Sequence, residues 1–274
     1  MDFTRKQLRE IFDQTRKISN ENLKLATKEL KELGTTVWEE GGLGFAERVF
    51  TANSKFPLIS LVHAGTVETG YKLIEGRKNT AILNFADAIT PGGLVLAGAS
   101  TQEENICRCS NLYESLTIPY CYDNYYIPNA KLNDDIYTDN IIYSYNVTFF
   151  RDDKDYHIIS PRSMDVITCP APSRELDDAT ALEIYTKRIE QIVLVAIKNS
   201  ISNLVLGAWG CGAFGQNPYL VARAFAETLN ERSGYFDKIV FAIKPTTEGQ
   251  EDINFKAFSE VLSKIYNGEV KIDG

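Results

Sequence analysis

Leu204-Val205-Leu206-Gly207-Ala208-Trp209-Gly210-Cys211-Gly212-Ala213-Phe214-Gly215-Gln216-Asn217-Pro218-Tyr219 is the stretch that decides the fold. An aliphatic run reads as a buried strand, and Pro218 suits the first turn of a helix. Between them Gly210, Gly212 and Gly215 spell GxGxxG. A glycine-rich turn from a strand into a helix lets backbone amides and a helix N-terminus cradle a diphosphate. The same turn also reads as purely structural, because tight strand–helix connections need glycine too. A nicotinamide-type dinucleotide fold does not fit. Its motif opens the domain, whereas this one stands late in the chain. The next strand also ends Ile243-Lys244-Pro245, with no acidic residue for a ribose.

Working outward, strands are expected over 165–169, 204–208 and 238–243, with helices over 179–199 and 218–229 between them. Strand–helix alternation implies right-handed crossovers and a parallel sheet covered by helices. Further strands are expected over 56–62, 80–85 and 141–150, and a helix over 101–116. Ligands of such sheets bind beyond the carboxyl ends of the strands, so the loops after 85, 169, 208 and 243 are the place to look. Residues 4–34 read as polar helices, with Gly34 as their stop, and Gly41-Gly42-Leu43-Gly44 as a loop. The Tyr/Asn/Asp-rich segment 117–140 reads as an irregular surface excursion, Arg151-Asp152-Asp153 as a charged turn, and 267–274 as a frayed tail. The expected organisation is an N-terminal helical extension over 1–40 packed on one domain over 41–274.

The 274 residues are 44% hydrophobic and 24% charged, ordinary for a globular chain. The longest aliphatic run, Ile192 to Ile197, is far too short to span a membrane. Twenty-nine basic against 37 acidic residues give a net charge of −8, which argues against general nucleic-acid binding. Five cysteines without a CxxC pair read as reduced thiols of a cytoplasmic protein. Cys211 reads as a small buried thiol. His63 and His157 are the only histidines and lie in no nucleophile or zinc motif. No metal or cofactor is expected, and carboxylates are the natural acid–base groups.

Two further constellations carry chemistry. Asn84-Phe85-Ala86-Asp87-Ala88-Ile89-Thr90-Pro91-Gly92-Gly93-Leu94 leaves a strand for a paired-glycine loop that lets backbone approach a ligand. It also reads as a plain Pro-Gly turn. Ser100-Thr101-Gln102-Glu103-Glu104 puts two carboxylates at a helix start. It also holds two overlapping capping boxes, Ser100 with Glu103 and Thr101 with Glu104. The readings are compatible: if Ser100 and Glu103 form the box, Glu104 is free. Neighbouring helical side chains diverge by ~100°, so one carboxylate would orient and the other react.

Together and in this order, these pieces resemble the microbial-type poly(ADP-ribose) glycohydrolases, a branch of the macrodomain fold. The resemblance rests on Asn84-Phe85-Ala86, Gly92-Gly93-Leu94, Gln102-Glu103-Glu104 and the loop from Gly210 to Gly215. The text from Val166 to Pro172 and from Tyr143 to Asp153 is also similar. It implies a three-layer α/β/α domain with a mixed, largely parallel sheet. It implies Glu104 as the acid–base residue and Glu103 as the group placing the neighbouring ribose. Gly92 and Gly93 would pass the diphosphate and that ribose, and Gly210, Cys211, Gly212, Ala213, Phe214 and Gly215 would wrap the diphosphate. Phe214 would pack on a ribose and Asn84 would contact the distal one, with Asp87 and Gln102 completing the binding set. Two positions depart from the family pattern: Leu94 replaces a third glycine, and Asp87 replaces a small polar residue or Asn.

The function implied is hydrolysis of the ribosyl O-glycosidic bond of ADP-ribose conjugates, poly(ADP-ribose) first among them, by a monomer that engages no membrane. Two alternatives stay open on sequence: a non-catalytic ADP-ribose-binding module, and a glycohydrolase for an ADP-ribosylated nucleobase or small molecule.

Overall fold

The structure, a computed structural model, describes residues 3–39, 56–74, 79–245 and 252–273. The loop expected at Gly41 to Gly44 lies outside them. Helix α1 (Arg5–Lys17) opens with a capping box, Thr4 accepting from the Gln7 amide and the Gln7 side chain accepting from the Thr4 amide. A π-helical turn (Ile18–Asn22) leads into α2 (Lys24–Glu32). Gly34 ends it, its N–H donating to the Glu29 and Leu30 carbonyls at 3.1 and 3.2 Å. Strand β1 (Thr35–Trp38) follows, an element too short to show in the sequence pattern.

Next come β2 (Leu58–Val62), α3 (Thr66–Ile74), β3 (Thr80–Ala86), α4 (Gln102–Cys109), α5 (Leu112–Leu116), α6 (Pro119–Cys121) and α7 (Ile127–Leu132). Strands β4 (Ile141–Arg151) and β5 (Ile158–Pro170) form a long antiparallel pair. The regular half follows as expected through α8 (Asp178–Lys198), β6 (Asn203–Leu206), α9 (Pro218–Arg232) and β7 (Lys238–Ala242); α10 (Ile253–Ile265) and β8 (Lys271–Asp273), neither expected from the sequence, come after it. The strands pair in the order β1-β4-β5-β3-β6-β7-β2-β8. The pairs β3–β6, β6–β7, β7–β2 and β2–β8 are parallel, and β1–β4 and β4–β5 antiparallel. This is the mixed, largely parallel sheet expected.

The chain groups into two compact units, Met1–Glu40 with Asn84–Pro170, and Gly41–Leu83 with Ala171–Gly274. In the first, α1 is tied to α4 through a fully buried arginine. Arg108 donates to the Leu8 carbonyl at 3.2 Å and to the Ala99 carbonyl, and Thr15 Oγ1 donates to the Arg108 carbonyl at 2.7 Å. In the second, α9 packs on α8 and α10 around the buried rings of Trp209, Phe225, Phe241 and Phe258.

Four expectations are corrected. The helix over 101–116 is two helices, because β4 captures the chain between them. Ser110 turns extended and bridges Phe149, the Asn111 amide donates to the Thr148 carbonyl at 3.1 Å, and Asn111 Oδ1 accepts from the Thr148 amide at 2.9 Å. The 117–140 segment is not a surface excursion throughout: it forms short α- and π-helical turns that bury Tyr125, Tyr126 and Asn129. Arg151 and Asp153 are buried rather than solvated. Arg151 donates to Thr15 Oγ1 at 3.0 Å, the Tyr156 carbonyl at 2.6 Å and Gln14 Oε1 at 3.3 Å. The 267–274 tail carries β8, which pairs with β2 through Ser60–Lys271, Leu61–Ile272 and Val62–Asp273.

Candidate functional site

Strand β3 is apolar and buried, and it carries Asn84 into the interior with no exposed surface. The chain then turns on Asp87, whose Oδ1 accepts from the Ile89 and Thr90 amides, both at 2.8 Å. An aspartate doing this builds the turn that a backbone carbonyl otherwise closes. Gly92 and Gly93 follow with φ of +69° and +58°. A Cβ on Gly93 would lie 2.6 Å from Glu104 Oε1 and 3.2 Å from Glu103 Oε2. Glycine is therefore required there twice over, by backbone conformation and by the two carboxylates against it.

The first turn of α4 reaches three points on this loop. Gln102 Oε1 accepts from the Phe85 amide at 2.8 Å. Glu103 accepts from the Asp87 amide at 2.7 Å on Oε2 and from Asn84 Nδ2 at 3.2 Å on Oε1. Glu104 accepts from the Leu94 amide at 2.9 Å on Oε1 and from the Thr101 hydroxyl on Oε2. The capping-box reading is thus corrected. Thr101 is the N-cap, but its side chain accepts no backbone N–H, and both glutamates turn onto the 84–94 segment. Glu104 is also not left free.

Both carboxylates are buried, Glu103 at 2% and Glu104 at 4% exposure. Burial holds the Glu103 carboxyl well above the ordinary carboxylate range. The Asp87 amide and Asn84 oppose that shift, and the charges of Asp87 and Glu104 add to it. Asn84 Nδ2 also lies 3.2 Å from Thr168 Oγ1, while Asn84 Oδ1 is buried without a hydrogen-bond partner among the described residues. Asn84, Asp87, Gly92, Gly93, Gln102, Glu103 and Glu104 therefore come together in one constellation. Leu94 contributes its amide and leaves its side chain 59% exposed, and Asp87 spends Oδ1 on its own loop.

The other glycine loop, in the second unit, is a pair of linked turns. The Cys211 amide donates to the Ala208 carbonyl at 3.2 Å, the Gly215 amide to Gly212 at 3.0 Å and the Gln216 amide to Gly210 at 3.1 Å. Gly210, at φ +80°, lies under Tyr185 Oη, which any Cβ would overlap. Among the described residues the amides of Gly212, Ala213 and Phe214 make no intramolecular hydrogen bond, and all three residues are exposed. Successive unpaired amides of this kind suit an anion. Gln216 fixes the loop's far end by donating to the Pro172 and Arg174 carbonyls, each at 3.1 Å. Phe214, Gly215, Gln216 and Ser173 help line a cavity of about 400 Å³. Burial pushes the Cys211 thiol up to about 12, so it is held as a neutral thiol.

Residues 7–152 match the family model for the microbial-type PARG catalytic domain. The chain belongs to the microbial-type PARG family. Solved structures agree. Poly(ADP-ribose) glycohydrolase from Thermomonospora curvata is 27% identical, with a TM-score of 0.84 over 93% of this chain and 99% of that one. The Deinococcus radiodurans enzyme in complex with ADP-ribose is 31% identical, with a TM-score of 0.77 over 87% of this chain and 98% of that one. The Thermomonospora curvata enzyme bound to the inhibitor ADP-HPD has a TM-score of 0.82 at 27% identity, over 93% of this chain and 98% of that one. No curated protein matches the chain. As a PARG family member it is a glycosidase of the hydrolase class with a macrodomain-like fold, and its glutamate pair sits inside the matched segment. Among the described residues no helix is long and apolar enough to cross a membrane.

Sequence reasoning missed several groups around the PARG glutamates. Thr168 backs Asn84, while Tyr113 and Cys107 pack where a Cβ of Gly92 would stand. None belongs to a motif of its own. Thr168 lies between Val166 and Pro172 in the sequence, and its contact with Asn84 emerges only when β5 aligns beside β3.

Proposed function

We propose that this chain hydrolyses the ribosyl O-glycosidic bonds of poly(ADP-ribose), releasing ADP-ribose, with Glu104 as general acid and base. The observation that carries this reading is the seating of Glu104. It is a buried carboxylate fixed by the Leu94 amide and the Thr101 hydroxyl, against a glycine that leaves no side chain between it and the loop. In the proposed reaction Glu104 gives its proton to the leaving oxygen as the C–O bond breaks and positive charge develops at the anomeric carbon. It then takes a proton from the water that attacks there. Glu103, held on both oxygens, keeps the adjoining ribose in register. Asn84 Oδ1, a buried acceptor without a donor among the described residues, suits a ribose hydroxyl. Gly92 and Gly93 let the backbone of their loop pass close to a diphosphate and its ribose, and in its own unit the loop from Gly210 to Gly215 presents unpaired amides that suit an anion. The ADP-ribose and ADP-HPD complexes of the related enzymes support this ligand class.

The test pairs two assays on wild type and Glu104→Gln: calorimetric binding of ADP-ribose, and ADP-ribose release from automodified poly(ADP-ribose) polymerase. Wild type is expected to bind and release. E104Q is expected to keep its affinity and lose at least about 100-fold in kcat, the scale of a lost general acid. Full turnover by E104Q overturns the assignment. Binding without release by wild type points to an ADP-ribose reader or to another conjugate as substrate.

A further inference from the structure

The two glutamates of α4 are held by different kinds of partner. Glu103 takes N–H donors on both oxygens, the Asp87 amide and the Asn84 side chain. Glu104 takes the Leu94 amide on Oε1 and a hydroxyl, Thr101 Oγ1, on Oε2. An amide N–H only donates, so the oxygen it holds stays an acceptor through any reaction. A hydroxyl rotates and either donates or accepts, so it stays bonded whether the carboxyl is ionised or protonated.

We infer that Thr101 is a positioning residue that directs proton transfer to Glu104 Oε2. The inference rests on the reading of Glu104 as the acid–base group. With Oε1 committed to the Leu94 amide, the acid form of Glu104 carries its proton on Oε2. The Thr101 hydroxyl donates to a lone pair of Oε2 and fixes the rotation of the carboxyl about its last bond. The Oε2 proton then goes to the leaving oxygen, which also takes the electron pair of the breaking C–O bond. Water adds to the anomeric carbon and returns its proton to Oε2, so Glu104 ends as it began.

Thr101 does not read as an ordinary helix cap. It occupies the N-cap position, yet its side chain accepts no backbone N–H, and its contribution to α4 is made by its carbonyl, which accepts from the Asn105 amide at 3.0 Å. That carbonyl survives any side-chain change. Thr101 is also exposed, so an isosteric valine leaves no cavity.

The experiment measures ADP-ribose release from automodified poly(ADP-ribose) polymerase by Thr101→Val, Thr101→Ser and Glu104→Gln beside wild type, with calorimetric ADP-ribose binding and thermal unfolding for each. The expected T101V has kcat lowered about tenfold, the effect of a loosened reacting group. Its KM and ADP-ribose affinity stay within about twofold of wild type, and its unfolding midpoint is unmoved. T101S restores most of the rate because it restores the hydroxyl. A T101V at wild-type kcat overturns the inference, as does a T101S as slow as T101V. If T101V does not fold, Thr101→Cys against T101S carries the test: the weak thiol donor is expected to be slow, and a cysteine variant as fast as T101S overturns the inference. An inactive E104Q with a full-rate T101V removes Thr101 alone, whereas a full-rate E104Q removes Glu104 itself.

Discussion

Gly93 is the residue on which the site turns. It combines a left-handed φ of +58° with a space in which a Cβ meets Glu104 Oε1 at 2.6 Å and Glu103 Oε2 at 3.2 Å. Gly93→Ala is expected to push the Glu104 carboxyl off the Leu94 amide. A misplacement of ~1 Å costs on the order of 100-fold in rate. The strained backbone destabilises the fold by about 1–3 kcal/mol besides. Steady-state kinetics and urea unfolding check both, and an alanine variant with wild-type kcat contradicts the packing argument. At this scale the residues of the candidate site are legible in the sequence. Asn84, Gly92, Gly93, Gln102, Glu103 and Glu104 all stand in its motifs, and the structure gathers them. Which hydrogen bonds they make was not legible. A Ser/Thr-x-x-Glu pattern looks the same whether the glutamate turns back on its own helix or reaches forward to a loop. Only the position of the 84–94 segment decides between them.

Among the elements, the junction of α4 and α5 shows what periodicity leaves out. Ile106, Cys109, Tyr113 and Leu116 share a helical spacing, and the sequence gives no sign of a break between them. The break comes from β4, a tertiary partner, and Asn111 fastens it. Its Oδ1 accepts from the Thr148 amide at 2.9 Å and its Nδ2 donates to Thr27 Oγ1 at 3.2 Å, with the residue 1% exposed. Asn111→Ala leaves a buried backbone N–H without its acceptor, so a loss of about 1–3 kcal/mol is expected. Chemical denaturation gives the value, and a change below about 0.5 kcal/mol means another group takes over the Thr148 amide. The 117–140 segment carries the same lesson from composition. Its Asn and Asp residues suggested a solvated loop, but tyrosines bury their rings as readily as they meet water, and Tyr125 and Tyr126 do so here. The strand–helix alternation of the carboxyl-terminal half read correctly because each element there is long and strongly apolar.

For the whole molecule, the sequence showed an α/β chain with a mainly parallel sheet but neither of its outermost strands. β1 and β8 are four and three residues long, too short for any pattern to register. The strand β8 matters beyond its size. β2 is an apolar Leu-Ile-Ser-Leu-Val segment, and its free side is covered along Ser60, Leu61 and Val62 by β8. A chain ending at residue 268 would keep every glutamate and glycine of the site yet leave β2 as an open, hydrophobic edge. Such an edge is a template for another molecule of the same kind. The shortened protein is therefore expected to self-associate on concentration or mild warming, read as rising light scattering, while its activity per folded molecule holds. Equal scattering from both chains would contradict this. The last few residues, negligible for catalysis, would then be what keeps a solution of the enzyme from aggregating.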